Sequence, residues 1–183
     1  MPEPIRSDNL SSPSGPSASD EEDSPADYIV DINCNVPAWQ KWASPLEAWV
    51  QASMQALRMP PGEISLYLTD DADCAVYNER FRGRTGPTNV LSFPVPRPDG
   101  DALHGPRLWG DILLSYETIT REAAEQGKDF EAHLVHLLVH GLLHLQGFDH
   151  ENDAEAAIME SHEISTLAQL GFANPYRLDE EHA

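Results

Sequence analysis

Residues 130–147, FEAHLVHLLVHGLLHLQG, are apolar nearly all round a helical wheel. A helix of that composition has to be enclosed, so the rest of the chain must supply elements that cover it on several sides. Four histidines interrupt the apolar surface, at 133, 136, 140 and 144, and a further one follows at 150. An isolated histidine in such a place is a core ring with ordinary partners. Three at the spacing of HGLLHLQGFDH, His140 to His150, point to a metal site.

His140 and His144 stand one turn apart on the same helical face, where two imidazoles can converge on one ion. Gly147 can take the left-handed conformation that ends a helix, and the chain can then turn back and bring in His150 as third ligand. Three nitrogens leave a fourth position for water, the mark of a catalytic zinc site rather than a closed structural one. His136 continues the ladder, but 136 and 144 are roughly 12 Å apart at helical rise and cannot share an ion. His136 is therefore assigned to packing or to hydrogen bonding behind the ligands. His133, His104, His162 and His182 receive no metal role.

The spacing matches zinc peptidases, yet Gly141 occupies the position of their catalytic glutamate. Peptide hydrolysis needs a base that activates water and then protonates the departing amine, and glycine does neither. Met159 falls inside an expected helix, away from any tight turn beneath a metal. The metallopeptidase reading falls to the last of the alternatives, to be revealed by a carboxylate from elsewhere in the chain beside a metal-bound water. Phosphodiester cleavage asks chiefly for charge neutralisation at the phosphoryl oxygens and in-line positioning, which a Lewis-acidic ion and a guanidinium supply. The imidazole triad accepts zinc, nickel, copper or iron.

The chain of 183 residues suits one domain, and its apolar runs fall short of a membrane span. Residues 1–27 carry five prolines, seven serines and seven acids against one arginine, and are expected to be a disordered extension. They show no signal or transit pattern, so the expected address is cytoplasmic. Cys34 and Cys74 form no CxxC unit and read as small hydrophobes. The formal net charge of −20 weighs against nucleic acid, but sixteen acids and nine bases leave residues 28–150 at only −7, with Arg80, Arg82 and Arg84 clustered.

Alternating patterns predict strands at 28–36, 63–70, 89–95 and 109–115. Helices are expected over 44–59, with Ser44 as N-cap, Pro45 first and Glu47 completing a capping box. Others are expected at 72–81 behind Asp70 or Asp71, from a Ser115 cap to about Gly127, at 130–147, and from 153 to Gly171. The result is an α/β or α+β domain over 28–175, followed by a frayed tail, 176–183.

HGLLHLQGFDH, with FRGRTGPTNVLSFP (81–94), WGDILLS (109–115) and LGFANPY (170–176), resembles the YbeY family of metal-dependent endoribonucleases. The resemblance spans roughly 28–176 in order. It implies an α+β, zincin-like single domain in which a small mixed sheet packs against a central metal-binding helix. It also implies one zinc ion on His140, His144 and His150, with His140 and Arg82 catalytic. The implied activity is cleavage of single-stranded RNA in maturation of the 3′ end of small-subunit (16S) rRNA, rRNA processing and ribosome quality control. The implied partners are the small ribosomal subunit and an Era-type GTPase, with no membrane. This chain departs from the family in Phe81 and Phe148, where tyrosine is common, and in Asn89, often aspartate; none is a ligand.

Arg82 is then expected to grip the phosphate, with Arg80 and Arg84 as candidate contacts to the RNA backbone. Asp149, the nearest acid, is a candidate for orienting a ligand histidine. Asn89 and Ser92 read as strand and turn hydrogen-bonders, and Asp111 as a group anchoring the edge of the site. Water and the RNA 2′-OH both stay open as nucleophile. The competing reading is a ribosome-assembly binding factor with a structural metal, and the two part at whether the fourth coordination position is open.

Overall fold

The computed structural model describes residues 27–96 and 106–177. All but the last residue of the 1–27 extension, His104, His182 and the tail from 178 lie outside the described residues. The strands are β1 (Tyr28–Cys34), β2 (Gly62–Thr69), β3 (Val90–Pro94) and β4 (Arg107–Ser115). The helices are α1 (Ala43–Ala56), α2 (Asp71–Arg82), α3 (Tyr116–Glu125), α4 (Phe130–Leu145) and α5 (Asp153–Gln169). The sheet order is β1-β2-β4-β3. β1, β2 and β4 run parallel, and β3 is antiparallel to β4. The domain is α+β, with one small mixed sheet and α4 packed against it.

Period-two alternation sorts the strand residues onto two faces. Ile64, Leu66 and Leu68 of β2 and Ile112 and Leu114 of β4 meet α1, α3 and α4 in the main core. Leu91 and Leu113 point the other way, toward Cys74 on α2. Helix α4 is covered on both sides: Leu134, Leu138 and Leu142 face the sheet, while Val135, Val139 and Leu143 meet Met159 and Leu167 of α5. At roughly 1.5–3 kcal/mol per buried aliphatic side chain, this double interface holds the histidine helix rigidly at the centre.

Two helix starts differ from expectation. α1 begins at Ala43, with Trp42 in the capping position and no side-chain cap, because a 3-10 turn over Pro37–Trp42 runs straight into it. Ser44 and Glu47 therefore have no free helix start to cap. Ser115 does precede α3, but its hydroxyl donates to Asp71 Oδ1 at 2.6 Å, and that carboxylate accepts the Thr118 N–H at 3.1 Å. Glu117 in turn accepts the Asp71 N–H at 3.1 Å. The first turns of α2 and α3 thus cap one another across the fold. Asp70 caps α2, accepting the Asp73 N–H at 2.9 Å.

Candidate metal centre

α4 ends as its glycine requires. Gly147 has φ 95°, and Phe148 N–H returns to Leu143 O at 3.1 Å. The chain reverses, and Asp149 Oδ1 accepts the backbone N–H of His150 at 2.8 Å. The third ring is thereby carried back to the other two. Ring centroids lie 4.6 Å apart for His140 and His144, 5.5 Å for His140 and His150, and 5.1 Å for His144 and His150. One ring nitrogen from each falls within 4.8 Å of the others.

What holds each ring determines its chemistry. His144 Nδ1 donates to the Phe148 carbonyl at 2.9 Å, so its neutral ring leaves Nε2 bare. His140 Nδ1 donates to Glu163 Oε1 at 2.6 Å, which bares its Nε2 as well. The two Nε2 atoms stand 3.1 Å apart. Two lone pairs so close repel unless a cation or proton lies between them. Burial pushes His144 below the ordinary imidazole value, and His140 and His150 push it the same way. The residues therefore fit a divalent cation.

Glu163 was not foreseen. It is 1% exposed on α5 and also accepts from His136 Nε2 at 2.9 Å and from the Tyr176 hydroxyl. Burial alone would raise its carboxyl, but hydrogen bonds from His136, His140 and Tyr176 prevail and hold it at about 2. The signal in the sequence was an acid in line with Met159 and Leu167 on a core-facing stripe. His136 donates to this same carboxylate, behind His140. Asp149 does not contact an imidazole nitrogen: its carboxylate serves the turn, and Glu163 has the orienting contact instead. Tyr176, expected in a frayed tail, folds back onto α5. Burial and the Glu163 charge push its phenol well above the ordinary value.

A hollow of about 240 Å3 opens over His140 and His150, bounded by Met159, Glu160, Glu163 and Tyr176. His150 is exposed at its mouth. Gly141 faces away, into the sheet: a Cβ there would meet Ile112 Cδ1 at 2.9 Å and Ser92 Oγ at 3.1 Å. A glutamate at 141 has no room, and its carboxylate would be directed at β3 and β4.

Arg82 is the last residue of α2, and its Nη2 donates to Ser92 O at 2.9 Å. Ser92 Oγ donates to Gly141 O at 3.3 Å, so the arginine is tied through one strand residue to the helix position beside His140. Arg80 lies over the Phe81 ring at 5.3 Å, and Arg84 is exposed. Asn89 donates to Glu122 at 2.9 Å, and Asp111 is exposed on β4.

The family model described as Endoribonuclease YbeY matches residues 30–171. A curated Endoribonuclease YbeY from Rhodopseudomonas palustris (strain BisB18) is 51% identical over 126 residues, covering 68% of this chain and 75% of the relative. One from Methylococcus capsulatus is 49% identical over 129 residues, covering 70% and 82%. The solution structure of TM1509 from Thermotoga maritima is similar in fold, with TM-score 0.53 at 21% identity, covering 85% of this chain and 100% of that one.

Proposed function

The chain belongs to the YbeY endoribonuclease family, and from that membership we propose that it is a metal-dependent endoribonuclease cutting single-stranded RNA in rRNA processing. Maturation of the 3′ end of small-subunit rRNA, a role in ribosome quality control, the small ribosomal subunit and an Era-type GTPase as partners, and a cytoplasmic address are parts of this proposal that rest on kinship. Among the described residues no helix is long and apolar enough to cross a membrane.

The observation that carries the metal-dependent reading is the pair of bare Nε2 atoms 3.1 Å apart, with a third imidazole beside them. His140, His144 and His150 would hold one cation, proposed to be zinc. Bound there, a divalent cation supplies a Lewis acid that polarises a phosphoryl oxygen or activates water. Glu163 and the Phe148 carbonyl keep two rings turned with Nε2 inward. Arg82 uses Nη2 on Ser92 and keeps further N–H donors for a phosphate oxygen. The exposed ring of His150 and the hollow above it favour an enzyme over a binding factor with a closed structural ion.

The test is cleavage of a labelled single-stranded RNA and its duplex form by the zinc-loaded protein. Chelation should abolish cutting without unfolding the chain, zinc should restore it, and His140→Ala should be inactive. Undiminished cutting by His140→Ala would trace the activity to a contaminant and remove the support for the proposal.

A further inference from the structure

A second hollow, about 390 Å3, shares His140 and Tyr176 with the first as lining residues. Val90 and Leu137 give it apolar lining, and Gln126 and Lys128 line it as polar groups. On its floor Glu122 accepts from Asn89 Nδ2 at 2.9 Å and from His133 Nε2 at 2.9 Å, both through Oε2. Among the described residues Oε1 receives only the longer Asn89 contact, 3.2 Å, and so keeps acceptor capacity. His133 is 4% exposed and its Nδ1 has no hydrogen-bond partner among the described residues. Lys128 makes no ion pair among the described residues, and it lines the same hollow as Glu122 and His133.

We propose that this hollow is a nucleobase subsite for the nucleotide beside the scissile phosphate, and that it prefers guanine. The proposal rests on the RNA-cleaving reading above and names what that site selects. A cavity of this size holds one purine, closed on one side by the Tyr176 ring. The shared residues His140 and Tyr176 mean that a base here and a phosphate at the histidines belong to the same or adjoining nucleotides. Guanine offers two neighbouring donors, N1–H and the 2-amino group, to the Glu122 carboxylate, and its O6 to the Lys128 ammonium. Cytosine offers one amino group with no ring N–H beside it, and uracil a single ring donor, N3–H, so neither presents guanine's pair of adjacent donors.

The experiment has two arms. In the first, fully 2′-O-methylated single-stranded oligonucleotides bind the metal-free protein, followed by fluorescence anisotropy. Those with a single guanine should bind about 5- to 100-fold tighter than those with adenine or uracil in its place, and inosine, lacking the 2-amino group, should fall between. In the second, cut positions in a mixed-sequence RNA are mapped for the metal-loaded wild type, Lys128→Ala and Lys128→Gln. Guanine should dominate one flank of the wild-type cuts, and both variants should lose that preference through KM while keeping kcat and metal content. Equal binding of all four bases by the wild type, or an unchanged preference in both variants, overturns the subsite. Guanine-selective binding without any cleavage overturns the ribonuclease reading and leaves the subsite standing.

Discussion

Replacing Glu163 by glutamine tests whether the carboxylate behind His140 sets up the metal site. One oxygen accepts from His140 Nδ1 at 2.6 Å, the other from His136 and Tyr176. A glutamine keeps the shape but must turn its NH2 toward one of these donors. If it faces His140, relief requires that ring to move its proton to Nε2, the atom that faces His144 at 3.1 Å. If the amide flips, His140 keeps an acceptor but loses the charge that makes its ring a better ligand. Either arrangement weakens the site, and the expected loss of zinc affinity is about 10- to 100-fold, roughly 1.4–2.7 kcal/mol. The metal-free fold should also suffer. Holding Glu163 at about 2 against an ordinary 4.5 corresponds to roughly 3 kcal/mol of stabilisation at neutral pH. Competition with a chromophoric chelator gives the zinc Kd of each protein, and urea unfolding without metal gives the stability. A variant whose Kd stays within twofold of wild type would refute the reasoning.

Three other outcomes follow from the same geometry. Arg82→Ala should lower kcat for RNA about 100- to 1000-fold, the loss typical of one transition-state donor, with metal content unchanged; near-wild-type turnover would remove Arg82 from the mechanism. Asp71→Asn should cost about 1–2 kcal/mol at neutral pH by uncapping α3. Burial opposes ionisation of Asp71, but hydrogen bonds from Ser115 and Thr118 and the Arg121 charge hold its carboxyl below the ordinary value. Its contribution is therefore complete above that value and lost as pH falls through the lower folded one. The gap between wild type and variant should narrow below about pH 4, and a gap constant with pH would contradict the capping role. Gly141→Glu should destabilise the fold by at least ~3 kcal/mol in urea unfolding, since it drives a charge against Ile112; a loss under 1 kcal/mol would show that position 141 is roomier than described.

What could be read in the sequence was what depends on neighbours along the chain. The His140–His144 step, the Gly147 turn and the return of His150 are local, so their spacing carried the site. The strands and the five helices emerged for the same reason, from alternation and helical stripes. Glu163 was missed because its partners come from α4 and from residue 176, which no local pattern joins to α5. Asp149 was preferred only for being adjacent in sequence. The mutual capping of α2 and α3 was hidden likewise, since Asp71 and Thr118 meet only after β4 is laid beside β2. Ser44 resembled a helix start because the 3-10 turn before it breaks the helical period without breaking the helix. The strand order β1-β2-β4-β3 is set by long-range pairing, and none of these segments states its partner.

The most direct measurement is X-ray absorption on the zinc-loaded protein, with metal content by equilibrium dialysis. One ion per chain, three imidazole nitrogens at about 2 Å and an exchangeable oxygen, falling to two nitrogens in His150→Ala, is the predicted result. A shell made wholly of protein atoms, or one that His150→Ala leaves untouched, would contradict it.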